Sequence, residues 1–180
     1  MEAIHIRNMQ ASDLEGILTI QAQCYQEIVP ESKVSIQAKL EASPQTCFVA
    51  DDPARGVAGY MLSIPWQRQQ PPELDAPACK LPAQPDCLYL HDLAVSPAYR
   101  GSGVGKHLFN AFQKALATTH LPYACLVAIQ NSASYWQKYG FVPVQMSPGL
   151  HASVATYGGQ AQYMEWYAAQ GADHLHSLAV

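Results

Sequence analysis

The chain has 180 residues, of which 49% are hydrophobic and 13% are charged, and its formal net charge is −4. This length favours one domain with a sizeable core, and the apolar content excludes an intrinsically disordered chain. A mildly acidic chain without a basic run is not expected to bind nucleic acid, and no apolar run has the length of a membrane span, so no membrane partner is expected.

The cysteine pattern and the first residues bear on metal binding and on compartment. The five cysteines are widely spaced, and neither a Cys-x-x-Cys pair nor a Cys/His ligand spacing appears. Reduced, mostly buried thiols are therefore expected, and no metal site is predicted. The first ten residues lack the charged, apolar and small-residue order of a signal peptide, so a cytoplasmic protein is predicted.

The first third of the chain predicts short strands and two helices. Ser12 and Glu15 form a capping-box pattern, which is typical of a helix start. Turn residues between two β-rich runs predict a hairpin. The predicted elements are a strand at 3–7, a helix from Ser12 to about residue 24, a helix at about 33–42, and strands at 46–50 and 57–64.

A proline-rich stretch follows the hairpin. Residues 65–87 contain six prolines, which is too many for regular structure, and the stretch is too short for a domain. We interpret it as a long connecting loop within a single domain of residues 1–180. A functional loop and a passive insertion are equal alternatives.

The next segment carries the most informative pattern of the chain. Leu88–Val95 is a β-type run that Pro97 ends. Arg100–Gly105 then opens a helix whose apolar residues recur at intervals of three and four. A glycine-rich loop at a helix start points backbone N–H groups outward with the positive end of the helix dipole behind them, which suits a phosphate. His91, upstream on the same strand, is a candidate proton acceptor.

The last third predicts alternating strands and helices. The central helix extends to about residue 117, and Gly140 is well placed to end the next helix, which Asn131 or Ser132 caps. The order of elements predicts a mixed α/β sheet with helices on its faces. The remaining predicted elements are a strand at 123–129, a helix at 133–139, a strand at 141–145, a loop at 147–159 and a strand at 162–167.

These residues resemble the Gcn5-related N-acetyltransferase (GNAT) family. The family's acetyl-CoA signature is matched by Arg100-x-x-Gly103-x-Gly105 after a strand, and an aromatic pair before Gly-Phe is matched at 135–141. The resemblance covers nearly the whole chain. It implies an α/β (α+β) fold with a mixed, mostly antiparallel six- to seven-stranded sheet and helices on both faces.

The resemblance also implies that acetyl-CoA is the acetyl donor. The family places a backbone N–H that stabilises the thioester oxyanion at a β-bulge, which corresponds to Leu93–Val95. By the same analogy Asn131 contacts the pantetheine arm, or it serves only as a helix cap. The residues expected to bind the donor are Leu93, Ala94, Val95, Arg100, Gly101, Ser102, Gly103, Val104, Gly105, Lys106 and Asn131.

Residues 91–95, His-Asp-Leu-Ala-Val, are similar to one strand of the arylalkylamine (serotonin) N-acetyltransferases, where two histidines relay a proton. His91 matches the second histidine, and Tyr89 replaces the first. Strand alternation places Tyr89 and His91 on one face and Asp92 on the other. We predict His91 as the general base with Tyr89 on the same proton path. The alternative is that His91 is a packed, hydrogen-bonded strand histidine.

The second family block departs from the pattern at one position. Many members supply a proton to the leaving thiolate from a tyrosine of the aromatic pair, and here that position is Trp136. An indole N–H is not a usable acid at neutral pH, so we expect water, or no specific acid, to serve this step. Trp136 is then interpreted as a packing residue or a wall of the cofactor site.

The family builds its acceptor pocket from the first two helices, their loop and the last hairpin. Tyr25, Glu27 and Glu31 lie in that loop, and Tyr157 lies near the hairpin. A carboxylate there suits a cationic amine, and aromatic faces suit an aryl or ammonium group. For the two glutamates, simple exposure on a loop is the alternative.

Together these patterns predict an enzyme, an acetyl-CoA-dependent N-acetyltransferase that acts on a primary amine of a small molecule. A protein N-terminus or lysine side chain as acceptor is one alternative. A non-catalytic acyl-CoA-binding sensor, for which Trp136 is the only support, is another. A monomer or a homodimer is compatible with the sequence.

Overall fold

The computed structural model describes residues 4–25 and 28–168, which fold into a mixed α/β structure as predicted. Seven strands form one sheet in the order β1-β2-β3-β4-β5-β7-β6. The strands are β1 His5–Asn8, β2 Phe48–Asp52, β3 Gly56–Trp66, β4 Cys87–Val95, β5 Tyr123–Ala128, β6 Val142–Pro143 and β7 Gln162–Tyr167. The helices are α1 Leu14–Cys24, α2 Lys33–Ala42, α3 Val104–Thr119, α4 Ala133–Gln137 and α5 Pro148–Ala155.

The chain divides into two compact units, each made of several segments. We call them the first unit (Met1–Ile64, Asp75–Leu81 and Leu90–Thr119) and the second unit (Pro65–Leu74, Pro82–Tyr89 and His120–Val180). The single domain expected over residues 1–180 stays a prediction. Among the described residues, no helix is both long enough and apolar enough to cross a membrane.

In the first unit, β2 pairs antiparallel with both β1 and β3, and β2 with β3 forms the predicted hairpin. The register shifts between Ala50 and Asp51, where the ladder has an irregularity. Burial of the apolar side chains of α1 and α2 against the strands drives the packing. This core includes Leu14, Ile17, Ile20, Ile36, Leu40, Val49, Tyr60 and Leu62.

The start of α1 differs from the predicted capping box at Ser12. Ser12 lies in a short 3-10 turn, and Asp13 occupies the N-cap position of α1. The Asp13 carboxylate accepts a hydrogen bond from the Gln10 N–H at 2.8 Å and pairs with the Arg7 guanidinium at 2.8 Å. The Asp13 carboxylate thus belongs to the capping box of the 3-10 turn, and it makes no side-chain capping bond to α1.

The second helix, α2, has the predicted bounds. Ser32 caps it, since the Ser32 hydroxyl accepts a hydrogen bond from the Ser35 N–H at 3.3 Å. The chain just before this cap is also held, because the Asp75 carboxylate accepts a hydrogen bond from the Ser32 N–H at 2.7 Å. The position of Glu31, one residue before the cap, is therefore well defined.

In the second unit, β7 pairs antiparallel with β5 and β6. Trp136 is buried and packs edge-on against Tyr135 and Phe141, which agrees with its interpretation as a packing residue. Gly140 follows α4 with a φ of 94°, in the left-handed region that glycine adopts without strain.

Two predictions for this region were wrong. The strand expected at 141–145 has only two residues, and the loop expected at 147–159 contains α5. Ser147 caps α5 by accepting from the Leu150 N–H at 3.2 Å, and Pro148 occupies the first turn. A serine followed by proline is a start signal for a helix, so the sequence did contain the information.

The proline-rich connection, residues 67–86, contains neither helix nor strand, and all of it is described. Its two ends are tied together in the second unit. The Asp86 N–H donates to the Trp66 carbonyl at 3.0 Å, and the Asp86 carboxylate accepts from the Arg68 N–H at 2.7 Å. The segment is thus anchored where it leaves β3 and where it enters β4.

Candidate active site

The glycine loop, Arg100–Gly105, joins a 3-10 turn to α3 in the first unit. Gly101 and Gly103 have φ values of 79° and 87°, which a residue with a Cβ atom adopts only with strain. Gly105 does not share this conformation, because that residue already lies inside α3. Two glycines, rather than three, are required by the backbone.

The loop leaves open space above the start of α3. A Cβ atom built on Gly101 has no heavy atom within 4 Å, and one on Gly103 meets only the His107 ring at 3.9 Å. The His107 N–H bonds to the Gly103 carbonyl at 3.1 Å, so the N–H groups just before His107 lie at the helix end, where they have no partner within the helix. Earlier in the loop, the Ser102 N–H donates to the Tyr99 carbonyl at 3.3 Å. Arg100 and Lys106 are both exposed beside this turn. These features fit a phosphate-bearing ligand.

The helix that follows the loop lies very close to the sheet. A Cβ atom on Gly59 of β3 meets the Ala94 carbonyl oxygen at 3.0 Å and the Val104 side chain at 3.1 Å. The Ser96 N–H donates to the Ala58 carbonyl at 2.9 Å, which fixes the end of β4 beside β3. Gly59 is therefore what lets β4 and the first turn of α3 approach each other, and this role was not predicted.

His91 on β4 has a carboxylate partner. Its Nε2 atom is hydrogen-bonded to Oε1 of Glu31, and its side chain is 2% exposed. Because an ionised carboxylate only accepts hydrogen bonds, Nε2 is the donor. In the neutral imidazole the lone pair is then on Nδ1.

Glu31 is itself held at every polar atom that the structure describes. Its Oε2 accepts from the Lys39 ammonium at 2.8 Å and from the Ser35 hydroxyl at 2.8 Å. Lys39 also donates to the Ser35 hydroxyl at 2.7 Å, which closes a ring of three hydrogen bonds. The backbone N–H of Glu31 donates to the side-chain oxygen of Gln21 at 3.2 Å, and the backbone carbonyl of Glu31 accepts from the Gln21 side-chain N–H at 3.4 Å. We call Glu31, Ser35, Lys39 and His91 the imidazole cluster.

The charges of this cluster decide the ionisation of Glu31. Burial alone raises the pKa of the Glu31 carboxyl, but the hydrogen bond from His91 and the charge and hydrogen bond of Lys39 lower it more. The net result is a pKa well below the ordinary value of a glutamate. Glu31 is therefore a carboxylate at any pH at which the protein is expected to work.

Asp92, the next residue on β4, has two tyrosine partners. Its carboxylate accepts hydrogen bonds from the hydroxyls of Tyr25 and Tyr60. Burial raises the pKa of the Asp92 carboxyl, and these hydrogen bonds oppose that shift. Burial and the nearby Asp92 charge raise the pKa of both tyrosines well above their ordinary value, so both remain hydroxyl donors.

Three predicted site residues lie in the second unit. The buried hydroxyls of Tyr89 and Tyr157 are 3.5 Å apart, and Tyr157 also donates to the Pro72 carbonyl. Asn131 is exposed with a φ of 58°, and Ser132, not Asn131, is the capping residue of α4. The structure thus brings together the two tyrosines that the sequence assigned to different roles.

The prediction for Glu31 needs correction. The sequence predicted a carboxylate available to a substrate ammonium or simply exposed, whereas both Glu31 oxygens accept hydrogen bonds from buried residues of the protein. Glu27, the other predicted carboxylate, lies outside the described residues. Sequence reasoning missed several buried polar residues that hold Glu31 and Asp92. They are Gln21, Ser35 and Lys39 around Glu31, and Tyr60 beside Asp92.

Comparison with known proteins gives one family. Residues 14–141 match the model of the Acetyltransferase (GNAT) family. A search of curated proteins gave no match. The local likeness of β4 to arylalkylamine N-acetyltransferases stays a prediction.

Several solved structures are similar to the chain. Ard1 from Thermoplasma volcanium is 19% identical with a TM-score of 0.70, over 92% of this chain and 98% of that protein. The loading GNATL domain of CurA from Lyngbya majuscula is 12% identical with a TM-score of 0.75, over 94% and 100%. Rv2747 from Mycobacterium tuberculosis, solved in complex with CoA, is 16% identical with a TM-score of 0.66, over 91% and 98%. Identities this low show a shared fold.

Proposed function

Because the chain belongs to the GNAT family of acetyltransferases, we propose that it is an acetyl-CoA-dependent N-acetyltransferase acting on a primary amine of a small molecule. The observation that carries the proposal is that one unit contains both the glycine loop and His91, whose imidazole is held by a carboxylate. The loop suits the phosphates of a CoA thioester, and the imidazole suits the deprotonation of an amine.

The donor is assigned to the glycine loop and the end of β4. Loop amides from Gly101 to Lys106 would hold the pyrophosphate, and the exposed cations Arg100 and Lys106 would add charge. Asn131 is proposed to contact the pantetheine arm. When bound, acetyl-CoA supplies an activated acetyl group, and backbone N–H groups of Leu93–Val95 are proposed to stabilise charge on its carbonyl oxygen.

His91 is proposed to take the proton. An alkylamine with a pKa of about 10.4 is mostly protonated at neutral pH, so it must lose a proton before it attacks. With Nε2–H donated to Glu31, the Nδ1 lone pair of His91 is the acceptor. Tyr89, two residues earlier on β4, is proposed to lie on the same proton path.

The acceptor site and the leaving group complete the proposal. Tyr25 and Tyr157 are proposed to contact the amine substrate, with Glu27 as a candidate partner for its charge. A thiol has a pKa of about 8.5, so the CoA thiolate leaves without a strong acid. Water is proposed to protonate it, because the indole of Trp136 is not an acid at neutral pH.

The test measures free CoA thiol released from acetyl-CoA against a panel of small amines and of peptides with free N-termini or lysines. We expect turnover on small amines, and a fall in kcat/KM of about 10²–10⁴-fold in His91→Gln, the usual contribution of a general base. His5→Gln, at an exposed histidine of β1, is the matched control and should keep full activity.

Other outcomes would change the proposal in defined ways. Turnover on peptides alone would assign a protein acceptor. Calorimetric binding of acetyl-CoA without thiol release on any acceptor would favour the non-catalytic sensor. An unchanged kcat/KM in His91→Gln, with unchanged pH dependence, would remove His91 from the chemistry.

A further inference from the structure

Lys39 is a lysine in an unusual place. It lies on α2 with only 3% of its side chain exposed, and lysines are almost never buried without a partner. Its ammonium lies 2.8 Å from Glu31 Oε2 and 2.7 Å from the Ser35 hydroxyl. Neither the predicted chemistry nor the glycine loop uses this residue, so its burial needs an explanation.

The explanation lies in the charge that His91 faces. A carboxylate hydrogen-bonded to an imidazole favours the protonated ring, because the imidazolium and the carboxylate attract each other strongly where water is excluded. An imidazolium has no lone pair and cannot accept a proton. A buried Glu31 without a counter-charge would therefore work against the proposed base.

A second positive charge reverses this preference. With Glu31 at −1 and Lys39 at +1, the pair is already neutral, and adding a proton to His91 would place an extra charge in a buried site. The carboxylate still accepts the Nε2–H hydrogen bond, so the ring orientation and the tautomer are kept. Charge balance and ring orientation thus come from different oxygens of the same carboxylate.

We propose that Lys39 is a positioning residue that neutralises Glu31, so that Glu31 orients the His91 ring as a hydrogen-bond acceptor while His91 stays neutral with its lone pair on Nδ1. The catalytic consequence rests on the proposed function of His91. The claim about the state of the imidazole does not, because it concerns the protein without substrates.

Other charged groups also lie near the His91 ring. Asp92, adjacent on β4, is hydrogen-bonded to Tyr25 and Tyr60, and its charge acts on His91 and Glu31. Burial raises the pKa of Asp92, which weakens its pull on a proton at His91. The exposed carboxyl of Asp75 also interacts electrostatically with Glu31 and Lys39. Lys39 is a cation in direct contact with Glu31.

The experiment compares variants by the pH profile of kcat/KM and by ¹⁵N chemical shifts of the His91 ring. Lys39→Met should move the acidic limb of the profile to higher pH by about one unit, the size expected for the loss of one close charge. Activity should recover at higher pH, and the KM for acetyl-CoA should not change. At pH 7.5 the doubly protonated ring should be more populated in Lys39→Met than in the wild type, where the Nε2–H form is expected.

Matched variants separate this effect from a general loss of structure. Glu31→Gln should move the limb to lower pH, the direction opposite to Lys39→Met, and Lys39→Arg should leave it unchanged. Lys33→Met removes the same charge from an exposed position of α2, 50% exposed and paired with Glu15, and should have no effect. If Lys39→Met does not fold, the double variant Lys39→Met/Glu31→Gln removes both charges together, and its limb should lie between those of the wild type and of Glu31→Gln.

The outcomes are distinct. A limb that stays in place in a folded Lys39→Met, or a ring that stays Nε2–H at pH 7.5, overturns the proposal. If His91→Gln keeps full activity, the proposed function of His91 fails, while the ring chemical shifts still decide the role of Lys39.

Discussion

The glycine loop and the imidazole cluster lie in the same unit, yet they are built by opposite means. The loop is exposed, takes its chemistry from backbone amides, and comes from six consecutive residues. The cluster is buried, takes its chemistry from side-chain charges, and joins residues 60 positions apart in the chain. A local motif therefore indicates which ligand a site suits, whereas the protonation state of a reacting group depends on residues that are distant in the chain.

The difference is also energetic. A loop amide reaches its ligand in water, so the loop depends on backbone conformation more than on charge balance. In the cluster, each charge has lost most of its hydration, and removing one partner leaves the other without compensation. Substitutions that strain the loop backbone and substitutions that unbalance the buried charges should therefore give different signatures.

The largest effect on stability and on the KM for acetyl-CoA is expected from a residue outside the glycine loop. Such an effect would show that the loop does not depend on its own residues alone. Gly59→Val places a side chain against the Ala94 carbonyl and Val104, where even a Cβ atom meets heavy atoms at 3.0 and 3.1 Å. We expect the free energy of unfolding to fall by about 2–3 kcal/mol, as for an overpacked core. The KM for acetyl-CoA should rise, because α3 must move away from β3.

The measurements are urea unfolding and steady-state kinetics, with Gly149→Val as the control. A Cβ atom on Gly149 in α5 meets nothing within 4 Å, so that variant should retain both the unfolding free energy and the KM. If Gly59→Val destabilised the protein but left the KM unchanged, the start of α3 would be independent of its packing on β3.

How far the sequence predicts this molecule follows the same division. The hairpin, α2 and the turn that opens α3 depend on periodicity, caps and glycines, which are local, and they were predicted closely. The ion pairs of Asp13 with Arg7 and of Glu31 with Lys39 join residues of different elements, and periodicity does not encode such contacts. Lys39 lies on the buried face of α2, three residues after Ile36, but a lysine is almost never fully buried, so its residue type argued against burial. The helix α5 was missed although Ser147 and Pro148 carried a local signal.

A smaller effect is expected within the loop itself, and it sharpens the claim that backbone conformation matters there. Gly103→Ala adds a Cβ atom at a φ of 87°, which costs about 1–2 kcal/mol. Relief of this strain redirects the loop amides, so we expect the KM for acetyl-CoA to rise about tenfold, equivalent to about 1.4 kcal/mol. Gly56→Ala has nearly the same strain, with a φ of 85° and open space around the Cβ.

Gly56→Ala should therefore lose similar unfolding free energy without a change in KM. Equal KM values for the two variants would mean that strain alone, and not the direction of the loop amides, sets the affinity for the donor. Binding calorimetry with CoA provides the same comparison without turnover.

The smallest expected effect is on the pH dependence of the unfolding free energy, and it comes from Asp92, the buried carboxyl beside the imidazole cluster. Burial raises the pKa of Asp92 in the folded protein, whereas in the unfolded chain an aspartate has a pKa of about 3.9. A raised folded-state pKa contributes stability below the unfolded value and loses it as the pH rises through the folded value. The wild type should therefore lose unfolding free energy relative to Asp92→Asn as the pH rises from about 4 to neutral.

An exposed carboxyl gives the opposite sign and serves as the control. The hydrogen bonds from Ser32 lower the pKa of Asp75 in the folded protein, so its stabilising contribution is present above the unfolded pKa and is lost as the pH falls. Urea unfolding should be measured at pH 4.5 and 7.5. Relative to the wild type, the unfolding free energy of Asp92→Asn should be higher at pH 7.5 than at pH 4.5, and that of Asp75→Asn should be lower. If the unfolding free energies of both variants changed with pH as that of the wild type does, the buried and the exposed carboxyl would be energetically equivalent. Burial beside the imidazole cluster would then not change the cost of a charge.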